Sequence, residues 1–399
     1  MIDELLRHNV VMYGKHVDVT SYTNGVRETL NPEGRAHPHV IWDYYSNGCS
    51  IRLLNPQYFI PSLHMLLATL QEYFGCLVGA NAYLTPPNSQ GFAPHYDDIE
   101  AFVYQVEGKK HWKVYKPRSV KERLPRYSSP NFSEEEVGTP VLDVILSPGD
   151  VLYFPRGFIH HAKTLPGEHS LHITISTYQK SSWCDLLEKV LPLSLKKACE
   201  MDVDFRKGLP IGYLQNAGFA HSKAFLRKEL IQGLRTFVSK LEQYIDVDSA
   251  VDQMGIQFMH DSLPPVFTED ELKCSVYNGG LVMKENGTLE NYVQPNFNTK
   301  IRLLRAYLCR FVQEDMKLEN GAVERQMRLY YNVDNSREYH GEDLQFLLIP
   351  PDMIASVHFL ICAYPSFVTV NDLPCKTNEE KVLYILMTFN HHLIFIVPT

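Results

Sequence analysis

The stretch GFAPHYDDIEAFVYQVEGKKHWKVY, residues 91–115, decides how this chain is read. His95 and Asp97 are two positions apart, and in an extended strand such residues share a face. An imidazole and a carboxylate on one face can grip a single ion. A set of two histidines and one carboxylate suits iron(II), and it leaves the opposite side of the metal open. The second histidine must then come from a neighbouring strand. The segment PGDVLYFPRGFIHHA, residues 148–162, supplies it: a turn, an apolar strand, a Pro-Arg-Gly turn, and a second strand that opens with histidine. His160 and His161 are adjacent, so on one strand they face opposite ways. Spacing alone does not choose between them.

The pattern His-x-Asp/Glu occurs three times, at His16–Asp18, His95–Asp97 and His340–Glu342. The first and third read as chance pairings. The middle one lies between strands and is followed 65 residues later by a strand-borne histidine. A further cation is expected nearby. Lys110 opens the strand after the Glu107-Gly108 turn, and alternation aligns it with Trp112 and Val114. A lysine buried there would hold a carboxylate firmly, whereas Lys109 reads as a solvated hairpin residue.

Around this centre, residues 1–180 are rich in aromatic and β-branched residues and are broken by turn sequences. Strand-like runs fall at 76–84, 100–106, 110–115, 141–146, 151–154 and 169–178, after a helical stretch at 61–74. Many short strands with turn signals predict an antiparallel sandwich or barrel. Residues 181–265 are helical in pattern: Leu226, Leu230, Leu234, Phe237, Leu241 and Ile245 recur at three- and four-residue steps. Pro264-Pro265 marks the end of this region. In residues 266–399, the runs 300–313 and 377–389 read as helix, and 326–333 and 393–397 as extended. The fold class is therefore α+β and multidomain.

The 399 residues carry a net charge of -8, so no overall basic field draws the chain to nucleic acid or anionic lipid. Residues 271–399 hold 12 Lys and Arg against 15 Asp and Glu, a net of -3, which weighs against a DNA-gripping role. Eight scattered cysteines without a C-x-x-C pair imply neither a zinc ribbon nor a disulfide framework, and fit a reducing compartment. The first residues, MIDELLRHNVVMYG, lack the apolar core of a signal peptide, and the apolar run 353–370 is interrupted by His358 and Pro365. The expectation is a soluble, intracellular protein without a membrane span.

The strings NAYLTPPNSQGFAPHYDDIEAFVYQVEGKKHWKVYKP, LSPGDVLYFPRGFIHHA and HSLHITISTYQ closely resemble the JmjC ribosomal oxygenases, also called bifunctional lysine-specific demethylases and histidyl-hydroxylases. The match is dense over about residues 45–180 and continues more loosely to the end. The resemblance implies a double-stranded β-helix (a cupin-like jelly roll) over 1–180, a helical dimerisation domain over 181–265 and a winged-helix domain over 266–399. It assigns the iron ligands to His95, Asp97 and His160 rather than Asp98 or His161. It matches Lys110 to the residue that pairs with 2-oxoglutarate and Asn81 to a second co-substrate residue. Arg52, Tyr83 and Ser176 match positions lining the peptide-substrate site. Thr174 and His172, on the strand of Ser176, are added as cavity-facing candidates. His161 stands where the family commonly has glutamine.

The activity so implied is oxidation by iron(II), 2-oxoglutarate and dioxygen. The target would be a histidine of a ribosomal protein, or alternatively the methylated lysines of histone tails. A non-catalytic chromatin adaptor is the third reading. The resemblance also implies a homodimer and a nuclear, nucleolar location.

Overall fold

The computed structural model describes residues 2–396 apart from 222–224, 274–280, 284, 292–295, 318–320, 339–342 and 391–392. The His340–Glu342 pair therefore lies outside the described residues. Ten strands occupy the first part of the chain: β1 (Val17–Thr23), β2 (Val26–Thr29), β3 (Ser50–Leu54), β4 (Val78–Thr85), β5 (Glu100–Gly108), β6 (Lys110–Tyr115), β7 (Leu142–Leu146), β8 (Val151–Phe154), β9 (Ile159–Thr164) and β10 (Ser170–Thr177). Seven form a sheet in the order β2-β1-β3-β4-β10-β5-β8, and three form a second sheet in the order β7-β6-β9. These are the two walls of a double-stranded β-helix. Ala101, Val103, Leu152 and Phe154 from the large sheet pack with Trp112, Val114 and Leu146 from the small one.

Alternation explains which side chains reach the interior. In β4 the buried residues Val78, Ala80, Ala82 and Leu84 alternate with Gly79, Asn81 and Tyr83. Val78 and Ala80, with Ile175 of β10, pack against Leu63 and Leu67 of the helix Pro61–Phe74. Pro61 opens that helix and Gly75, at φ 63°, closes it. Leu67 is fully buried, and removing its side chain would cost about 2–5 kcal/mol. The opposite face of the sheet is left for Gly79, Asn81 and Tyr83.

Residues Ser181–Gln257 form a separate compact unit. It contains Trp183–Met201 and Phe225–Leu241 as its long helices, and the helix Val247–Asp261 leads out of it. Ser182 and Asp185 cap the first helix reciprocally. Much of its apolar surface is uncovered: Leu187, Leu191, Leu195, Leu234 and Val238 are all exposed.

Phe258–Thr399 groups with Met1–Lys180. The chain rejoins this first unit ahead of Pro264-Pro265. Gln71 donates to the Leu263 carbonyl at 3.2 Å and accepts from the Leu263 N–H at 3.0 Å, and a ring nitrogen of His64 lies 2.9 Å from the Pro264 carbonyl. Further on, Cys309–Lys317, Val323–Tyr331 and Gln345–Leu348 make one antiparallel sheet, while Lys300–Leu303 lies between Val368–Thr369 and Ile394–Ile396. Helices Ile354–Ala363 and Asn378–Asn390 contribute Val357, Leu360, Tyr384 and Ile385 to the shared core.

The segment 300–313, expected to be helical, is instead strand, turn and strand. Ile301, Leu304 and Leu308 mimic a helical step, but Ile301 and Leu303 are buried strand residues paired with Ile396 and Ile394. The other three expectations for this region are met. No described helix is long and apolar enough to cross a membrane. The seven cysteines among the described residues are free thiols.

Candidate metal centre

His95 and Asp97 do not lie in a regular strand, as their spacing implied, but in the irregular segment before β5. Pro94 precedes His95, and its carbonyl accepts from the Phe132 N–H at 2.8 Å. His95 makes one isolated antiparallel bridge to His160, with N–H to carbonyl distances of 3.2 and 2.8 Å. That bridge, rather than a pleat, sets the two histidines side by side. The Gly157 N–H donates to the Asp97 carbonyl at 3.1 Å. Gly157 adopts φ +86°, and a Cβ there would stand 2.2 Å from the Glu122 carbonyl oxygen, so the Pro-Arg-Gly turn requires glycine.

Among the described residues, His95, Asp97 and His160 are the one group of this kind whose ligand atoms converge, all within 4.8 Å of one another. The two Nε2 atoms lie 3.8 and 3.7 Å from Asp97 Oδ2. Each Nδ1 is turned to a backbone carbonyl, Ala93 at 2.8 Å for His95 and Phe158 at 3.2 Å for His160. Such bonds fix the ring so that Nε2 presents its lone pair to the centre. Burial, reinforced by His95, pushes the His160 imidazolium down to about 4, so this ring is neutral and ready to ligate. Ser128 donates to Asp98 at 2.8 Å and lies 3.4 Å from Asp97 Oδ1. The donors therefore fit a metal held on one side only.

His161 faces the other way. Its Nε2 lies 2.9 Å from the Tyr115 hydroxyl and its ring stacks on Tyr115. The His16–Asp18 pair is structural as well: His16 bonds Glu338 at 2.8 Å, and Asp18 pairs with Arg52.

Beside the centre lies a cavity of about 60 Å³ lined by Tyr83, Lys110, Trp112, Phe154, His172 and Thr174. Lys110 is 5% exposed, and its ammonium donates to the Thr85 hydroxyl at 3.0 Å. Burial pushes its pKa down to about 7. Lys109, by contrast, is half-exposed, with Glu168 3.8 Å away. Trp112 Nε1 and His172 Nδ1 are both buried without a hydrogen-bond partner. His172 stacks on Tyr83 at 4.8 Å, and burial, with Lys110 and His160 adding to it, holds it well below the usual imidazole range. A buried ammonium and orphaned ring nitrogens fit an acceptor-rich guest such as a dicarboxylate.

A wider cavity of about 350 Å³ forms the mouth, lined by Arg27, Arg52, Asn81, Tyr83, Thr174 and Ser176 among others. Cross-strand pairing assembles it: Asp18, Arg52, Tyr83 and His172 are successive partners across β1, β3, β4 and β10, while Asn81 faces Thr174 and Gly79 faces Ser176. Thus Asn81 stands at the mouth beside Tyr83, and Thr174 lines both spaces. Sequence reasoning missed Arg27. Its guanidinium lies 4.4 Å above the Phe92 ring, its Nε is buried without a partner, and burial and Arg52 lower its pKa. Nothing local marks it: β2 joins the sheet only through its hairpin with β1, and the long-range pairing of β1 with β3 carries Arg27 to the mouth. Thr85 was missed for the same reason.

The jelly roll and its one-sided His-Asp-His centre define the class, a JmjC-type metal-site protein. The JmjC domain family matches residues 52–186, and the family described as "Ribosomal oxygenase 1, C-terminal winged helix domain" matches residues 263–397. The chain is 49% identical to the "Bifunctional lysine-specific demethylase and histidyl-hydroxylase NO66" of Aedes aegypti, over 95% of this chain and 59% of that protein. It is 48% identical to "Ribosomal oxygenase 1" of Danio rerio, over 98% and 71%. The crystal structure of the Escherichia coli ribosomal oxygenase YcfD aligns at a TM-score of 0.45 and 14% identity, over 99% of this chain and 89% of that one. The chain belongs to the ribosomal oxygenase family. It spans 59% of the Aedes aegypti protein and 57% of the protein of the same name from Culex quinquefasciatus.

Proposed function

We propose that the chain is an iron(II)- and 2-oxoglutarate-dependent oxygenase that hydroxylates a histidine side chain of a ribosomal protein. One observation carries the reading: a one-sided His95–Asp97–His160 centre opens onto a cavity that holds a buried lysine with no carboxylate partner. Iron(II) with 2-oxoglutarate, when bound, supplies oxidation of a C–H bond by dioxygen, with release of succinate and carbon dioxide. His95 and His160, through Nε2, and the Asp97 carboxylate are the residues that hold the metal. Lys110 receives the far carboxylate of the co-substrate in a charge-assisted bond, and the dry walls of Trp112 and Phe154 strengthen it. Asn81 and Thr174 border that pocket from the mouth. Arg52, Tyr83 and Ser176 offer donors to peptide carbonyls and to a neutral imidazole.

The NO66 relatives are also named for lysine demethylation, which would bring histone tails as partners. Arg27 and Arg52 argue for the histidine as principal target. A methylammonium entering the mouth would meet two guanidiniums, whereas sites for such cations offer aromatic faces or acceptors. The acidic balance of the C-terminal region disfavours nucleic acid as a direct ligand. The uncovered apolar face of the helical unit supports a homodimer. The nuclear and nucleolar location belongs to the same reading, and imaging of the tagged chain checks it. The deciding experiment is mass spectrometry of large-subunit ribosomal peptides after incubation with protein, iron(II) and 2-oxoglutarate. One added oxygen on a histidine is the expected product. Formaldehyde release from methyl-lysine peptides, without histidine oxidation, would reverse the assignment.

A further inference from the structure

Gly79 stands inside β4, in the middle of the large sheet, yet its backbone does not require glycine. Its φ lies outside the left-handed region, and a Cβ built on it meets nothing within 4 Å. Glycine weakens a strand interior, and where no turn demands it, it marks a place where another backbone or a ligand comes close. The space it leaves open is a second cavity of about 210 Å³, lined by Asn55, Gln57, Gly79, Ser176, Gln179 and Asn335 among others. Ser176 and Gln179 line the mouth of the metal centre as well, so the two spaces adjoin. Ser176 is also the direct cross-strand partner of Gly79.

The lining describes its guest. Seven of the fifteen lining residues carry an amide or hydroxyl side chain, set among apolar ones such as Leu77, Val78 and Leu263, as suits the peptide groups and side chains of an extended chain. Gln57 is 2% exposed; its Nε2 donates to the Arg337 carbonyl at 3.2 Å, while its Oε1 is buried with no hydrogen-bond partner. A buried acceptor of this kind calls for a donor from outside. The carboxylates of Asp261 and Glu338 also border the cavity, the first held by His260 at 2.6 Å and the second by Lys15 at 3.0 Å and His16 at 2.8 Å, so the lining carries hydrogen-bonding groups rather than free charge.

We propose that this cavity is a second substrate subsite, which takes an extended stretch of polypeptide laid across the Gly79–Ser176 pair, some residues away from the side chain that reacts. It rests on the reading of the protein as a polypeptide hydroxylase. At about 3.3 Å per extended residue, the subsite is reached by the flank of a substrate and not by the reacting residue alone.

The test uses the full chain and fluorescein-labelled histidine peptides from large-subunit ribosomal proteins. Each is made as a core of about five residues and as a version of about fifteen, long enough to leave the mouth. The long peptide is expected to bind at least about tenfold more tightly than its core. Gly79→Ala, Gly79→Val and Gly79→Leu should remove that gain in order of size, without changing core-peptide affinity, metal content or Tm. If Gly79→Leu does not fold, the Ala and Val steps decide. No gain with length, or a gain that survives the larger side chains, overturns the subsite. Length-dependent binding that residue 79 controls, with no histidine oxidised, would sink the hydroxylase reading and leave the subsite standing.

Discussion

His160 and His161, neighbours in the chain, serve opposite sides of β9: Nε2 of the first lies 3.7 Å from Asp97, and Nε2 of the second lies 2.9 Å from the Tyr115 hydroxyl. Alanine at His95, Asp97 or His160 is therefore expected to reduce bound metal and succinate formation to background. His161→Ala should keep both within about tenfold of wild type and cost about 1–3 kcal/mol of stability, because it strips a buried hydroxyl of its partner. Metal analysis and succinate detection by NMR check this. An inactive His161→Ala beside an active His160→Ala would invert the ligand assignment.

Lys110 links co-substrate binding to pH. Burial brings its pKa to about 7 in the folded chain, and only the ammonium pairs with a carboxylate. Above pH 7, binding must take up a proton, so affinity for 2-oxoglutarate should fall by up to about tenfold per pH unit. Calorimetry in buffers of different ionisation enthalpy should register the uptake, and Lys110→Met should abolish both the uptake and tight binding. Lys109→Met should change neither.

The same lysine makes a prediction about stability. The unfolded chain holds the proton to an ordinary pKa of 10.5, the folded one releases it near 7. Between those values the unfolded state binds more protons, so this contribution to stability rises with pH, and its penalty is fully present below pH 7. Without co-substrate, Lys110→Met should accordingly raise Tm at pH 6 while destroying activity. A Tm lower than that of wild type would show that the bond to Thr85 outweighs the cost of burying the ammonium.

Arg27 and Arg52 are expected to act as a pair on substrate choice. Arg27→Met should raise the KM for a histidine peptide about tenfold or more, since hydrogen bonds to charged groups are worth about 1.5–3 kcal/mol. It should also relax the exclusion of methyl-lysine peptides. Arg52→Met leaves Asp18 without its cation and should lower stability as well, so thermal melts must accompany its kinetics. Unchanged KM in Arg27→Met would remove this residue from the site.

For the helical unit, Leu234 and Val238 are 56% and 64% exposed on one helix. Glutamate at both positions should convert a dimer to a monomer in light scattering, with the helical circular dichroism preserved. A wild-type chain that is monomeric at micromolar concentration would refute the dimer.

The parts of this site that could be read from the chain are those governed by local rules. His95 and Asp97 stood out through their spacing and the turns around them, and alternation separated buried Lys110 from Lys109. His160 could not be told from His161 until a register was known, because the answer lies in the backbone bridge to His95. Arg27, Thr85 and the cross-strand row through Tyr83 are products of strand order, which no local pattern encodes. The misreading of 300–313 has the same root: Ile301, Leu304 and Leu308 satisfy a helical period, and only their partners on distant strands reveal two extended segments.

The return of the chain to the helix Pro61–Phe74 at Leu263 and Pro264 has a consequence for how the molecule could be divided. A single cut in the segment 181–257 would separate the polypeptide into two pieces, one bearing the metal ligands and the other bearing Leu263, Asn335 and Glu338. Those pieces meet through Gln71, His64, Gln57 and His16. A nicked chain is therefore expected to stay together through these contacts, like the halves of a split reporter, whereas each piece alone would leave part of its own interior facing water.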